Sequence, residues 1–416
     1  MQSNHGSLRL VGALLAAVAA LAAPAGCARH AAPTPAPSAN WVASWRPSQQ
    51  LVEPRNLPPA PGLSGSTLRQ VARLSIGGRG VRFQFSNLFG DGPLALDAVH
   101  VALSAGGSAI RPESDRALTF DGRPSALVAP GASVTSDPLD LALAPFADVA
   151  VTIAFGRTPA AVTGHPGSRA TSFLQAGDLA AAPAMPDAVK TEHWYVLSGA
   201  DVVAEAGSAA VIALGNSITD GRGSGTDKND RWTDDLARRL QADPRTARVA
   251  VLNAGLGGNT VLRGGLGPTA LTRLDRDVAG PAGARWLIVL EGVNDIGNTG
   301  DSSAVAAIAA ELIAGYQRII AMAHGHGLRV YGATILPFGG AHYDTGPARE
   351  AARQAVNRWI RTSGAYDAVI DFDAVMRDPL QPARLRPEAD GGDHLHPNEV
   401  GYHLMADAID LSLFGR

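Results

Sequence analysis

The sequence predicts two folded domains: an all-β sandwich or jelly roll, followed by a doubly wound α/β domain with a parallel sheet. Three observations support this prediction. The chain has 416 residues, which is more than one hydrophobic core usually supports. Short strand-like runs fill the first half, whereas continuous apolar runs alternate with helical patterns in the second half. Because the pattern changes near residue 201, the predicted domains span residues 41–200 and 201–416.

A leader precedes the first domain. Arg9 stands before an apolar run that starts at Leu10, and small residues continue to Cys27, as in a secretory signal peptide. The apolar run is too short to predict a membrane-spanning helix. Cys27 is the only cysteine in the chain, so the mature protein is predicted to have no disulfide. Residues 1–27 are therefore predicted to be an export signal.

The position of Cys27 leaves two processing routes open. A cysteine at the exit of a leader resembles a bacterial lipoprotein signal, in which the cysteine carries a lipid, although Pro24 stands where a larger aliphatic residue is usual. Cleavage after Ala25 would instead release a secreted protein. Residues 28–40 are rich in proline, alanine and serine, which predicts an extended tether. Both routes place the protein in the cell envelope or outside the cell.

Composition restricts the class of partner. The formal net charge is −3, with 35 Lys and Arg against 38 Asp and Glu, so no basic surface for nucleic acid is predicted. No Walker A motif or dinucleotide-binding glycine pattern occurs in the sequence, and no cofactor is predicted. The favoured partner is a small-molecule or polysaccharide ester, and membrane contact is expected only through a lipid on Cys27.

The first half contains many short strands in sequence order. The runs "QVARLSI", "GVRFQFSNLF" and "DVAVTIAF" are rich in β-forming residues and are separated by Gly, Pro, Asp and Asn. The run "VRFQFS" alternates apolar and polar residues, which predicts one buried face. Trp41, Trp45 and Trp194 could line a sugar-binding face, but the usual burial of aromatic residues favours core or interdomain packing.

The second half contains five continuous apolar runs, which are typical of parallel strands covered on both faces. These runs are "AAVIALG", "RVAVLNAG", "RWLIVLEG", "LRVYGATILP" and "YDAVIDFD". Helical patterns lie between them, with Trp232, Leu236 and Leu240 at four-residue spacing and longer patterns at 304–323 and 347–361. Right-handed crossovers between the strands are expected.

Polar residues follow these strands, at the sheet edge where doubly wound domains bind ligands. Acyl transfer needs a hydroxyl nucleophile, a base with an orienting carboxylate, and donors for an oxyanion. Ser217 is the predicted nucleophile, with His396 as base and Asp393 as its carboxylate partner. The predicted oxyanion donors are the backbone N–H groups of Ser217 and Gly258 and the side-chain amide of Asn294.

Four motifs of the second half resemble a known family. "GNSITDG", "NAGLGGNT", "GVND" and "DHLHP" are similar, in order and spacing, to the four blocks of the SGNH hydrolases, also called GDSL esterases and lipases. The resemblance covers roughly residues 209–413. It implies a flavodoxin-like sheet and gives the same five residues the same roles. Asn216 departs from the pattern, because the family usually has Asp there.

The β-rich first half, with "STLRQVARLSIGG" and "RFQFSNLFG", also looks like a two-domain bacterial branch that includes xylan-esterase-like proteins. This second resemblance implies the removal of acyl groups from plant polysaccharides. The sequence therefore predicts an exported serine carboxylic-ester hydrolase of acetylesterase type. The alternatives are a lipase or arylesterase of the same family and a non-catalytic envelope protein that binds polysaccharide.

Two alternatives concern the histidine motif. His394 is a rival for the role of base, and the resemblance favours His396. Asp390, Asp393, His394 and His396 include ligand types that bind metals, but without a second matching cluster no metal site is predicted. No G-x-S-x-G motif occurs in the chain, which disfavours the other common serine-hydrolase folds.

Overall fold

Antiparallel sheets build the first part of the structure. The computed structural model describes residues 39–300 and 302–415, so the predicted signal peptide, Cys27 and most of the predicted tether lie outside the described residues. The strands of this part are β1 (Trp41–Trp45), β2 (Gln50–Leu51), β3 (Ser66–Arg73), β4 (Val81–Ser86), β5 (Leu94–Gly106), β6 (Ala109–Ile110), β7 (Arg116–Ala117), β8 (Ala126–Val128), β9 (Ser133–Thr135), β10 (Asp148–Phe155), β11 (Thr163–His165), β12 (Ser172–Ala176), β13 (Val189–Thr191), β14 (Trp194–Tyr195) and β15 (Leu197–Val203).

These strands form three sheets within the described residues. Their orders are β1-β15-β4-β9, then β13-β12-β3-β10-β5-β6 with β7 and β8 also paired to β5, and β14-β11-β2. In the second sheet Val151 of β10 pairs with Gln70 of β3 on one side and Val101 of β5 on the other. The predicted all-β character of the first half is confirmed, whereas its assignment as a sandwich or jelly roll stays a prediction.

A parallel sheet flanked by helices builds the second part, which confirms the predicted α/β architecture. Its strands are β16 (Ala209–Gly215), β17 (Val249–Gly255), β18 (Ala284–Leu290), β19 (Arg329–Ala333) and β20 (Ala368–Ile370). Its helices are α1 (Ser217–Asp220), α2 (Trp232–Ala242), α3 (Val293–Asn298), α4 (Ser302–Gly325), α5 (Pro347–Thr362), α6 (Phe372–Met376) and α7 (Glu399–Asp407). The described strands of this sheet follow the order β17-β16-β18-β19-β20 and all pair in parallel.

The apolar patterns of the sequence explain these elements. Every residue of β16 is buried, as expected for a continuous apolar strand with helices on both faces. On α2, Trp232, Leu236 and Leu240 are fully buried, so the four-residue spacing marks the face that packs on the core. By length and composition α4 could cross a membrane, but Leu312 and Ile319 are fully buried inside the protein, as in the core helix of a globular domain.

The strand order fixes the place of the site. β16 lies between β17 and β18, so the connections from the central strands leave in opposite directions at this point. In such sheets ligands bind in the crevice outside the carboxyl ends of these strands. Ser217 directly follows β16, and Asn294 lies in the first turn after β18. The fold therefore brings residues that are far apart in sequence to one edge of the sheet.

The two parts share one hydrophobic core. Val42 of β1 belongs to the same buried apolar cluster as Ile212 of β16. The backbone N–H of Val251 on the edge strand β17 donates to Ser75 Oγ at 2.7 Å. Residues from Ala39 onward form one compact unit. The last antiparallel strand ends at Val203, and the first parallel strand begins at Ala209. The predicted division of the chain into two domains stays a prediction.

Two of the three tryptophans of the β-rich half pack inside the protein. Trp45 and Trp194 are buried and meet edge to face, with ring centroids 4.8 Å apart. Trp194 also stacks on the imidazole of His165 at 5.8 Å. Trp41 is half-buried under the guanidinium of Arg82. The burial of Trp45 and Trp194 and their contact with each other fit the packing role.

Candidate active site

A chain of two hydrogen bonds links the serine, the histidine and the aspartate that the sequence singled out. Ser217 Oγ lies 2.8 Å from His396 Nε2, and His396 Nδ1 lies 2.7 Å from Asp393 Oδ2. The ionised carboxylate only accepts, so Nδ1 carries the proton that His396 donates to it. In that tautomer Nε2 is an acceptor, and the hydroxyl of Ser217 donates to it. This is the arrangement that activates a serine hydroxyl.

The turn from β16 into α1 holds Ser217 at the sheet edge. Asn216 precedes the helix in an extended conformation, and its Oδ1 caps α1 by accepting from the N–H of Ile218 at 3.1 Å. At the end of β17, a Cβ on Gly255 would lie 2.2 Å from the backbone nitrogen of Asp220. The absence of a side chain there lets α1 rest directly on the strand end.

Local charges and burial set the protonation of the pair. Burial lowers the pKa of His396, and the guanidiniums of Arg222 and Arg169 lower it further, while the carboxylate of Asp393 opposes this. Burial would raise the pKa of Asp393, but hydrogen bonds from the backbone and ring of His396 outweigh it and hold the value at about 2. Neutral imidazole beside an ionised carboxylate is the form that a general base requires.

His394 takes no part in this chain of hydrogen bonds. Its Nδ1 lies 2.5 Å from Asp390 Oδ2, and its backbone has a φ of +60°. Two separate His–Asp pairs therefore occupy one short loop, and only the pair of His396 reaches Ser217. Within residues 39–300 and 302–415, no group of three His, Cys, Asp or Glu side chains is placed to hold a metal ion.

The two predicted backbone donors have no acceptor among the described residues. Ser217 is the first residue of α1, where the N–H of a helix has no intrahelical partner. Gly258 has a φ of +68°, in the left-handed region that glycine adopts without strain. Both N–H groups thus remain free to bind an oxyanion, which is what the predicted role demands.

The side chain of Asn294 is held by two neighbours. Its Oδ1 accepts from the hydroxyl of Tyr343 at 2.9 Å, and its Nδ2 donates to the carbonyl of Asn259 at 2.7 Å. An amide nitrogen carries two hydrogens, so one remains for a substrate oxygen. The next residue, Asp295, accepts from the N–H of Val261 at 2.9 Å. These bonds tie the loop after β17 to α3 and fix the predicted oxyanion donors relative to each other.

Glu291 is a buried acid next to the nucleophile that the sequence reasoning did not assign. Its Oε2 accepts from Asn216 Nδ2 at 3.1 Å, and no hydrogen-bond donor reaches Oε1 in the part of the chain that the structure describes. Burial outweighs the attraction of Arg273 and raises the pKa of Glu291 to about 8. An aspartate at position 216 would place a second acid against this carboxyl. The asparagine found there instead donates a hydrogen bond to it.

Arg273 is a second unassigned residue, and it joins two strand ends and the loop after β17. Its fully buried guanidinium donates to the carbonyls of Gly215 at 3.0 Å and Ala254 at 2.8 Å, and to Asn259 Oδ1 at 2.8 Å. Asp277 balances the charge at 2.9 Å. Arg273 follows no apolar strand, so its sequence position carried no signal for this role. It organises the carboxyl ends of β16 and β17 around the site.

A buried pair connects the β-rich part to α1. His165 Nε2 lies 2.8 Å from Asp220 Oδ1, and His165 Nδ1 donates to the carbonyl of Ser48 at 2.8 Å. Asp220 ends the helix that begins with Ser217. The sequence suggested no partner for either side chain, because they lie 55 residues apart and in different parts of the fold. The β-rich part therefore helps to position the helix that carries Ser217.

A doubly wound parallel sheet with a serine, a histidine and an aspartate gathered at its carboxyl edge is an arrangement that supports acyl transfer. The sequence comparison narrows this class of reaction. Residues 213–404, a little under half of the chain, match the GDSL-like lipase/acylhydrolase family. The predicted resemblance to the SGNH or GDSL hydrolases is thereby confirmed.

Three solved structures illustrate the similarity. A putative lipolytic protein of the G-D-S-L family from Desulfitobacterium hafniense is 19% identical, over 48% of this chain and 97% of its own, with a TM-score of 0.38. A catalytic mutant of an acetylxylan esterase from Geobacillus stearothermophilus is 22% identical, over 50% and 95%, with a TM-score of 0.39. A lipase/acylhydrolase from Enterococcus faecalis is 20% identical, over 48% and 92%, with a TM-score of 0.37. No curated protein sequence matches the chain.

Proposed function

We propose that the protein is an exported serine esterase that removes O-acetyl groups from polysaccharides. The observation that carries this proposal is the hydrogen-bonded chain from Ser217 through His396 to Asp393, with distances of 2.8 Å and 2.7 Å. All three residues lie within the segment that matches a family of acylhydrolases. The lowered pKa values of His396 and Asp393 favour the neutral imidazole and the ionised carboxylate that attack on an ester requires.

The mechanism follows from these positions. Ser217 Oγ attacks the ester carbonyl while His396 Nε2 takes its proton, and Asp393 stabilises the imidazolium that forms. The N–H groups of Ser217 and Gly258 and the free hydrogen of Asn294 stabilise the oxyanion. His396 then returns the proton to the leaving alcohol. Water attacks the acyl-enzyme with His396 again as base, releasing the acid and restoring the serine hydroxyl.

The surroundings of the histidine favour a polar alcohol. A cavity of about 320 Å³ opens beside His396 and Asp393, and its wall includes Arg222, Ser224 and Thr226. Such a wall offers hydrogen bonds to sugar hydroxyls and little apolar surface for a lipid chain. The resemblance of the β-rich half to xylan-esterase-like proteins supports the same substrate class. The leader ending at Cys27 supports export, with either a lipid anchor or a free secreted form.

The test is acetate release by wild type and Ser217→Ala from acetylated xylan and from 4-nitrophenyl acetate. Ser363→Ala is a matched control, because Ser363 is exposed beyond the end of α5 and lies outside the site. We expect wild type and the control to cleave both esters, and Ser217→Ala to lose at least a thousandfold of the turnover. Cleavage of the small ester alone would overturn the polysaccharide substrate. Equal rates for Ser217→Ala would overturn the serine mechanism.

A further inference from the structure

Two arginines from different parts of the fold line the cavity beside His396. Arg169 lies in the loop between β11 and β12, and Arg222 lies two residues after the end of α1. The catalytic carboxylate of Asp393 and the ring of His396 border the same cavity. The opening is therefore next to the reacting groups, on the side of the histidine, where the alcohol half of an ester leaves.

Neither guanidinium forms an ion pair with a carboxylate of the described residues. Arg169 Nε only approaches the carbonyl of Gly221, at 3.4 Å, and the side chain of Arg222 makes no hydrogen bond there. The nearby acids are already engaged. Asp227 accepts from the N–H and hydroxyl of Thr171, both at 2.6 Å. Asp393 accepts from His396, and Asp220 is paired with His165. The two guanidiniums thus border the cavity without an ion-pair partner, and the one carboxylate that lines it with them, Asp393, is hydrogen-bonded to His396.

Backbone bonds hold both arginines in place. Arg169 has a φ of +49°, an uncommon conformation for a residue with a side chain, and its carbonyl accepts from the N–H of Asp227 at 2.9 Å. The N–H of Arg222 donates to the carbonyl of Ser217 at 2.8 Å, and its own carbonyl accepts from the hydroxyl of Tyr402 at 2.6 Å. These bonds fix the backbone at both positions, which reduces the entropy that the two loops lose when a ligand binds.

The two arginines act against one step of the proposed reaction, while the carboxylate of Asp393 favours that step. The imidazole of His396 becomes positively charged in the transition state, and burial first, then the two guanidiniums, disfavour that charge and lower the pKa of His396. A negative group bound between the arginines would cancel the repulsion and also orient the alcohol. Planar guanidinium groups pair well with carboxylates through charge-assisted hydrogen bonds.

We propose that Arg169 and Arg222 form a subsite for an acidic group on the alcohol half of the ester, such as the carboxylate of a uronic acid. The substrate would then be an acetylated acidic sugar rather than a neutral one. This inference rests on the proposed esterase function for its kinetic consequences. The binding of the acidic group does not depend on catalysis, so it can be measured separately.

The kinetic test compares O-acetylated methyl glucuronoside with O-acetylated methyl glucoside, which lacks the carboxylate. A third ester, the acetylated glucoside 6-sulfate, distinguishes a carboxylate from a sulfate as the anion. The measured quantity is the ratio of kcat/KM for the charged ester to that for the neutral ester. Arg169→Gln and Arg222→Gln should each lower this ratio about tenfold, the effect of one hydrogen bond to a charged group.

Arg318→Gln is the matched control, because Arg318 is exposed on α4 and outside the cavity. Its ratio should equal that of wild type. A variant that only damaged the fold would slow both esters alike and leave the ratio unchanged. An unchanged ratio in both cavity variants would therefore contradict the subsite.

The binding test uses calorimetric titration of Ser217→Ala with methyl glucuronoside, methyl glucoside and the glucoside 6-sulfate. We expect the glucuronoside to bind at least tenfold more tightly than the glucoside, and this preference to vanish when Arg169→Gln and Arg222→Gln are added. Equal binding of charged and neutral sugars would overturn the inference. If no ester is cleaved in a Ser217-dependent way, the esterase function fails, and the titration still decides whether the anion subsite exists.

Discussion

At the scale of single residues, Asn294 combines two tasks, because it anchors the loop after β17 and offers one hydrogen to an oxyanion. Replacing Asn294 by alanine removes that donor. We expect the loss of about 3 kcal/mol of transition-state stabilisation, so kcat/KM for 4-nitrophenyl acetate should fall by a little over a hundredfold. The measurement is steady-state kinetics with the thermal midpoint recorded in parallel.

Tyr343→Phe separates donation from positioning in this experiment. It deletes only the hydroxyl that donates to Asn294 Oδ1 and leaves the amide in the site. Its loss should be smaller than that of Asn294→Ala, on the order of one hydrogen bond, about 1 kcal/mol. Unchanged turnover in Asn294→Ala would remove this side chain from the oxyanion site.

The pH dependence of catalysis follows from the environment of His396. Burial first, and then the neighbouring arginines, lower its pKa below the ordinary 6.5. Since the base must be neutral, kcat/KM should stay high as the pH falls to 6.5 and decline only below that value. The midpoint of the acid limb, measured with 4-nitrophenyl acetate, reports this pKa in the free enzyme. A midpoint above 6.5 would contradict the described environment.

Residues within short motifs were predictable, and residues outside them were not. Ser217 and His396 stand in local patterns, and their pairing at 2.8 Å followed from the strand ends meeting at one edge. Glu291 could have been noticed from the sequence, because an acidic residue directly after a continuous apolar strand is unusual. Arg169 could not, since its approach to His396 depends on how a loop of the β-rich half folds back.

At the scale of elements, the His165–Asp220 pair joins β11 to α1. The carbonyl of Ser48 and the carboxylate of Asp220 both only accept, so both ring nitrogens of His165 donate. Asp220→Ala leaves the imidazole without this partner and should lower the free energy of unfolding by about 3–5 kcal/mol. Asp220→Asn should cost less, because an amide can donate to Nε2 of neutral imidazole. Denaturant unfolding measures both, and equal losses would refute this account.

The longer elements were predictable from apolar period, but the shortest were not. The five parallel strands and helices α2, α4 and α5 appear where the pattern places them. Helix α1 is one turn long, too short for a period to show, although it carries Ser217. Two-residue strands such as β2 depend on partners far away in sequence.

At the scale of the whole molecule, the buried Glu291 links stability to pH. Its pKa is about 8 in the folded protein against 4.5 for the exposed group, so the folded state binds its proton more tightly. The stabilisation is present below pH 4.5 and is lost as the pH rises from 4.5 to 8. Wild type should therefore lose stability relative to Glu291→Gln over this interval, by on the order of a few kcal/mol.

The measurement is the free energy of unfolding at several pH values for both proteins. Glu205→Gln serves as the control, because Glu205 is exposed and should give the pH dependence of wild type. A constant difference between wild type and Glu291→Gln from pH 5 to 8 would show that Glu291 keeps its charge in the folded protein.

The hydrogen bond from Val251 to Ser75 has a consequence for association between molecules. Edge strands with free N–H groups recruit strands from other chains and promote aggregation. β17 forms one edge of the parallel sheet, and at Val251 its outward N–H is already occupied by the β-rich part. The opposite edge is the three-residue β20, which is too short to be a good template. The β-rich half thus protects the parallel sheet against edge-to-edge pairing with further copies.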